Sequence, residues 1–267
     1  MILKDYEIID FHTHPFGFGG ENICSHRDNL GMTPEHIEQD MRDAGISKMC
    51  GSVIMRDNQT PDSLDVIRRS NDAMYKIWNM LGDFYVPGLM IHPKYVEESK
   101  EMIDEFYARG GRLIGELVPY THGWSDYSCE GFSKLLDYAT EKNMIVSIHS
   151  MGEDEMDRMS ERHPDTKIVF AHPGEYNEAM RHIKRLKNRP NHYLDLSGYG
   201  IFRMGLTRRL VDEIGEDRII FGSDYPTCNP YMYVGGVLFD PSLTDKEKEK
   251  IFAGNVKKLF AAAGKEI

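Results

Sequence analysis

Short apolar runs alternate with amphipathic stretches along nearly the whole chain. The apolar runs predict eight strands, at residues 7–11, 48–55, 86–91, 113–117, 145–148, 168–171, 193–196 and 219–222. The stretches between them predict helices, and Thr33-Pro34-Glu35 and Thr60-Pro61-Asp62 are typical helix starts. Eight strands alternating with helices favour a closed (β/α)8 TIM barrel over an open doubly wound sheet, which more often has five or six strands.

Length and charge narrow the class of protein further. The 267 residues are close to the roughly 250 typical of one such barrel, so a single domain over residues 1–267 is expected. The 32 Lys and Arg against 43 Asp and Glu give a net charge of -11, which opposes nucleic-acid binding. The sequence shows neither a secretion signal nor a long apolar span, so a cytoplasmic protein without membrane contact is expected.

The four cysteines lie far apart in the sequence. Cys24, Cys50, Cys129 and Cys228 form no Cys-x-x-Cys pair. Their spacing disfavours a disulfide scaffold or a zinc ribbon. The longest irregular segments are residues 16–32 and 121–131, and both are predicted to leave strands at the mouth of the barrel.

The first predicted strand carries Asp10, His12 and His14. Two residues separated by one position on a strand project from the same face, so the two imidazoles can hold a transition metal together. An isolated pair of this kind fits a hydrogen-bonded core equally well. The rest of the chain therefore decides between the two interpretations.

Three later apolar runs also end at residues of metal-ligand type, namely His149, His172 and Asp224. In a parallel barrel the carboxyl ends of all strands open on one face, so these side chains would converge with the first pair. Imidazole and carboxylate together suit zinc, manganese, iron or nickel. The four segments taken together predict a metal site.

These motifs resemble the amidohydrolase superfamily, and particularly the amidohydrolase-related group that includes aminocarboxymuconate semialdehyde decarboxylase and its hydrolase relatives. The resemblance rests on Asp10-Phe11-His12-Thr13-His14, His149, His172-Pro173-Gly174, Phe221-Gly222-Ser223-Asp224-Tyr225-Pro226 and the last helix around Ile251-Phe252-Ala253-Gly254-Asn255. It implies that His12, His14, His149 and Asp224 bind one divalent metal, with zinc preferred. It also implies that His172 is the catalytic histidine, while Asp224 accepts a proton through its second oxygen.

Glu116 leaves the number of ions open. It ends the fourth predicted strand within Gly115-Glu116, which is similar to the signature of the metal-bridging glutamate in TatD-type deoxyribonucleases. If it bridges, His149 and His172 would hold a second ion about 3.5–4 Å from the first. Alternatively, Glu116 only orients a ligand histidine or contacts substrate. One ion is preferred because the match of residues 221–226 to the decarboxylase-like group is stronger than the match of Glu116 alone to the nucleases.

Other residues at predicted strand ends are candidates for substrate binding. His92, His122 and Tyr225 are predicted to line the pocket. Arg203 is expected to be a solvated loop cation, although it would suit a substrate carboxylate. Further histidines are expected on the surface, namely His163, His182 and His192.

The preferred function is a hydrolase that uses metal-activated water on an amide, ester or lactone bond of a small molecule. The alternative is a metal-dependent, non-oxidative decarboxylase of an aromatic or unsaturated carboxylic acid. A third interpretation is a metal-storing protein, which is disfavoured because storage has no use for His172 as an added base. The resemblance also implies a homodimer.

Overall fold

Eight parallel strands form the centre of the molecule. The structure is a computed structural model and describes residues 6–16 and 33–267. The strands follow one another in sequence order around a single sheet: β1 Ile9–Thr13, β2 Lys48–Ser52, β3 Tyr85–Leu89, β4 Leu113–Leu117, β5 Ile145–Ile148, β6 Lys167–Phe170, β7 His192–Asp195 and β8 Ile219–Ile220. All eight predicted strands are present, with ends that differ by a few residues. Apart from Phe16, the predicted irregular segment 16–32, including Cys24, lies outside the described residues.

The sheet closes between β1 and the segment that follows β8. The backbone N–H of Phe11 donates to the carbonyl oxygen of Phe221 at 3.0 Å. The backbone N–H of Asp224 donates to the carbonyl oxygen of His12 at 2.8 Å. The N–H of His14 donates to the carbonyl oxygen of Tyr225 at 2.7 Å. These bonds confirm the predicted TIM barrel and fix Asp224 beside the two histidines of β1.

Helices surround the strands. They are α1 Pro34–Asp43, α2 Leu64–Leu81, α3 Val96–Ala108, α4 Glu130–Glu141, α5 Glu153–Arg162, α6 Tyr176–Leu186, α7 Leu206–Ile214, α8 Pro230–Leu238, α9 Asp245–Glu249 and α10 Asn255–Ala262, with a π-helical turn at Lys250–Gly254 before α10. Three-residue or four-residue 3-10 turns occur at Gly82–Phe84, Pro119–His122 and Glu216–Arg218. None of the helices in the described ranges is both long and apolar enough to cross a membrane.

Two helix starts differ from the sequence-based expectation. Helix α2 begins after Ser63, whose hydroxyl accepts from the N–H of Val66, rather than at Thr60-Pro61-Asp62. Helix α8 has no counterpart among the helices predicted from the sequence, and it contains Gly235 and Gly236, although glycine disfavours a helix. It forms with Pro230 in its first turn and Asn229 as the capping side chain.

The barrel interior is apolar at the amino-terminal ends of the strands. Ile9, Leu113 and Ile145 form one buried cluster with Val256 and Phe260 of α10, so this helix packs against that end. The other end of the interior is lined by polar residues. Gly88 keeps β3 close to β4 there, because a Cβ on Gly88 would lie 1.9 Å from the carbonyl oxygen of Gly115, next to Glu116.

Candidate metal centre

Glu116 lies between two pairs of side chains at the carboxyl ends of the strands. Its side chain is only 3% exposed. One oxygen, Oε2, is 3.2 Å from His12 Nε2 and 3.0 Å from His14 Nε2. The other, Oε1, is 3.0 Å from His149 Nδ1 and 3.4 Å from His172 Nε2. The structure thus brings together all four histidines that the sequence singled out as ligands or base, with one glutamate between them.

Asp224 lies beside the pair formed by His12 and His14. Its Oδ1 lies 3.6 Å from the Nε2 atoms of both His12 and His14. Asp224 and His172 adopt left-handed backbone conformations, with φ of 65° and 67°. Such conformations cost about 1–3 kcal/mol for residues other than glycine and often occur at active sites. Here they direct both side chains into the same polar cluster.

Hydrogen bonds on the far side of each ring orient His12 and His14. His14 Nδ1 donates to the carbonyl oxygen of Ser52 at 3.0 Å. His12 Nδ1 lies 2.9 Å from a carboxylate oxygen of Asp195. A carbonyl oxygen and an ionised carboxylate can only accept, so each ring has a proton on Nδ1 and, in its neutral form, presents the lone pair of Nε2 to Glu116.

This arrangement tests whether a metal fits the residues. The two Nε2 atoms are 3.3 Å apart, and both face Glu116 Oε2, so three electron-pair donors converge on one point. Donor atoms at such distances repel one another unless a positive charge lies among them. Imidazole nitrogen with carboxylate oxygen is a donor set for zinc or manganese, and the hydrogen bonds to the far nitrogens are typical of metal-ligating histidines. The residues therefore fit a divalent transition metal.

The pKa shifts of His12 and Glu116 also indicate a site that favours positive charge. Burial alone would lower the pKa of His12, but the carboxylates of Glu116 and Asp195 raise it well above its usual value. Burial alone would raise the pKa of Glu116, but the charges of His12 and His149 hold it well below the usual range. The carboxylates thus favour positive charge at this point, either on the His12 ring or on an ion held beside it.

Asp195 and Ser197 are part of the centre and were not identified from the sequence. Asp195 is fully buried and accepts the backbone N–H of His172 at 3.3 Å, so it contacts both His12 and His172. Ser197 Oγ lies 3.0 Å from Nδ1 of His12 and 3.0 Å from Nδ1 of His172. The sequence signal that identified the candidate ligands, a ligand-type residue at the end of a strand, was also present for Asp195, which ends β7.

We expect Asp195→Asn to weaken metal binding by roughly 10–100-fold, because the partner of His12, a candidate ligand, loses its charge. Calorimetric titration of zinc into chelator-treated protein would measure the change. Asp165→Asn, at an exposed position, is the matched control. Equal affinity in the two variants would contradict the role of Asp195.

A cavity of about 470 Å³ opens above the cluster. His14, Glu116, His149, His172 and Asp224 line it, together with Ile54, Val118, Tyr120, Ser150, Gly174, Glu175, Glu178, Gly198, Tyr199, Thr227 and Cys228. The candidate ligands therefore face a space large enough for a small molecule.

His92, His122 and Tyr225 are not among the residues that line this cavity. His92 donates from Nε2 to the carbonyl oxygen of His122 at 2.9 Å, and His122 Nε2 lies 3.2 Å from the carbonyl oxygen of Met55. The hydroxyl of Tyr225 donates to Asp40 at 2.9 Å. All three are buried and hold neighbouring segments together, so the arrangement does not support their predicted contact with substrate.

The expectation for three other histidines was wrong. His163, His182 and His192 are buried rather than on the surface. Each has hydrogen-bonding partners, such as Ser133 Oγ at 2.9 Å from His163 Nε2. Arg203, in contrast, is an exposed cation as expected, and it pairs with Glu175 at 2.8 Å.

Comparison with known proteins identifies the family. The family model described as amidohydrolase matches residues 9–261, so the chain belongs to the amidohydrolase family. The protein is thus an enzyme of the amidohydrolase superfamily, whose members depend on metals. No curated protein matches the sequence.

Three solved structures show the same fold. An uncharacterised TIM-barrel protein from Bordetella bronchiseptica is 23% identical, with a TM-score of 0.77 over 97% of this chain and 100% of that chain. A dihydroxybenzoic acid decarboxylase from Polaromonas, with bound manganese and the inhibitor 2-nitroresorcinol, is 13% identical, with a TM-score of 0.72 over 96% and 97%. A probable 2-pyrone-4,6-dicarboxylic acid hydrolase from Acinetobacter baumannii, with citric acid bound, is 15% identical, with a TM-score of 0.70 over 96% and 99%.

Proposed function

We propose that the protein is a metal-dependent hydrolase that acts on an amide, ester or lactone bond of a small molecule. The observation that carries this proposal is the convergence of His12, His14 and Glu116, of which His14 and Glu116 line an accessible cavity. A divalent ion held there would lower the pKa of a water molecule and polarise the carbonyl group of a substrate. Zinc stays the proposed metal, and the same donors suit manganese.

The proposed ligands fall into two sets that share Glu116. His12, His14 and Asp224 would hold one ion with Oε2, and His149 and His172 would hold a second with Oε1. The contacts of Oε1 with both rings support this two-ion scheme over the one-ion scheme preferred from the sequence. In addition, His172 Nε2 lies 3.1 Å from His149 Nδ1 and faces Glu116, which suits a ligand better than a free base.

Asp224 is then the proposed proton acceptor. Its Oδ1 faces His12 and His14, while Oδ2 lies 4.0 Å from the thiol of Cys228. The carboxylate lines the cavity, so Oδ2 can take a proton from an attacking water and return it to the leaving group. In the one-ion scheme His172 would share this task.

Decarboxylation is the second candidate, and the likeness to the Polaromonas decarboxylase favours it. Such an enzyme must hold a substrate carboxylate, for which arginine is well suited. Among the described residues, no lysine or arginine lines the cavity, and Arg203 is already paired with Glu175. Glu175 and Glu178 add negative charge at the rim, which supports hydrolysis of a neutral or cationic molecule.

The experiment is an activity screen of the zinc-loaded and manganese-loaded protein. We expect turnover of at least one ester, amide or lactone and none of a matched set of hydroxybenzoic acids. The His14→Ala variant, assayed in parallel, separates turnover at the centre from contamination. Release of carbon dioxide from an aromatic acid, without hydrolysis, would instead establish the decarboxylase.

A further inference from the structure

A fully buried arginine lies behind the metal centre, between α5 and α6. Arg185 of α6 has no exposed side-chain surface. Its Nη2 donates to Glu153 at 2.6 Å, and its Nε donates to Asp157 at 2.8 Å. These two carboxylates of α5 compensate the charge and fix the plane of the guanidinium group. Its Nη1 then points at His182, 3.0 Å from Nδ1.

The contact with Arg185 fixes the tautomer of His182. A guanidinium group has no lone pair to accept with, so His182 Nδ1 must be the acceptor. An imidazolium ring carries a proton on both nitrogens, so a ring that accepts through Nδ1 is neutral. The single ring proton is therefore on Nε2.

That proton is directed toward the cavity wall. His182 Nε2 lies 3.2 Å from the hydroxyl oxygen of Ser150, which it can reach as a donor. The Ser150 hydroxyl in turn donates its own proton to the carbonyl oxygen of Ala171. Each group thus has one fixed role, and the chain of hydrogen bonds runs in one direction from Arg185 to Ala171.

Ser150 and Ala171, at the end of this hydrogen-bond chain, are adjacent in sequence to two candidate ligands. Ser150 follows His149 at the end of β5, and Ala171 precedes His172 at the end of β6. The Ser150 hydroxyl therefore connects the two strand ends beside the point where the rings of His149 and His172 come within 3.1 Å. A small change in this connection would alter the distance between the two rings.

We propose that Arg185, His182 and Ser150 form a directional hydrogen-bond chain that positions His149 and His172 for metal binding. His182 is the positioning residue, since it is not among the residues that line the cavity and it acts through Ser150 and through its hydrogen bond with the backbone of His172. The proposal rests on the proposed metal-dependent function. The positioning proposal goes beyond the proposed function because it assigns a role to a buried network that the proposed reaction does not use.

Two substitutions of His182 separate positioning from packing. In His182→Gln the amide nitrogen can take the place of Nε2 and still donate to Ser150. In His182→Asn the shorter amide can take the place of Nδ1, so it retains the bond with Arg185 and loses the one with Ser150. We expect His182→Asn to weaken zinc binding by about tenfold or more and to lower kcat with little change in KM. His182→Gln should stay within about threefold of the unaltered protein.

His192 provides the matched control. It is also fully buried, and its ring packs against the ring of Phe170 at 5.8 Å, as His182 does at 5.6 Å. Its nitrogens contact Ser160 and the carbonyl oxygen of His163, away from the metal centre. His192→Asn should therefore leave the affinity for zinc unchanged.

A second measurement does not depend on any variant or on metal. Nitrogen-15 NMR of the histidine rings in the unaltered protein should show His182 neutral, with its proton on Nε2. A proton on Nδ1 would overturn the proposal, as would equal zinc affinities and equal kcat values for the Asn and Gln variants. Those results leave the proposed function intact, whereas an unaltered protein that binds neither zinc nor manganese would overturn both.

Discussion

Replacement of His12 or His14 by alanine is expected to remove most of the bound metal and to lower turnover by about a thousandfold. Both Nε2 atoms face Glu116 Oε2 within 3.2 Å, so either change removes a nitrogen donor from a closely packed set. Loss of the ion removes several kcal/mol of transition-state stabilisation, which corresponds to this factor. Elemental analysis of metal per chain, with an assay on the substrate found by screening, measures both effects.

His36→Ala is the control for these variants, because His36 is exposed on α1 and is not one of the candidate ligands. It should leave metal content and turnover unchanged. A normal metal content in both His12→Ala and His14→Ala would show that this pair does not bind the ion.

His172→Asn and Glu116→Gln together decide how many ions the centre holds. We expect each variant to retain about half of the metal and to lose turnover by about 10²–10⁴-fold, because Glu116 Oε1 faces His149 and His172 while Oε2 faces the other pair. In the one-ion scheme, by contrast, His172→Asn keeps all of the metal and loses a similar share of turnover. Metal content per chain, measured beside activity, distinguishes the two schemes.

One outcome would contradict both schemes. If His172→Asn keeps full metal content and a near-normal rate, His172 is neither a ligand nor a base. The interpretation of its left-handed backbone, with φ of 67°, as a feature of the active site would then also be wrong.

The sequence alone was sufficient to predict the barrel and most of the side chains that meet in the candidate metal centre. Apolar runs that alternate with amphipathic stretches report burial residue by residue, so they locate β1 to β8 without knowledge of their partners. A histidine or aspartate at the end of such a run must lie at the carboxyl end of a parallel strand. This local rule identified His12, His14, His149, His172 and Asp224, which the structure brings together.

Roles that depend on partners distant in the sequence required the tertiary structure. The contact between His12 and Asp195 spans 183 residues, and that between His14 and Glu116 spans 102. His182 was expected on the surface, since an amphipathic pattern does not show that Arg185 and Ser150 enclose it. Which oxygen of Glu116 meets which pair of histidines depends on how the strands pair and how the barrel closes. The sequence determined which residues reach this end of the barrel, and tertiary packing decided which of them meet.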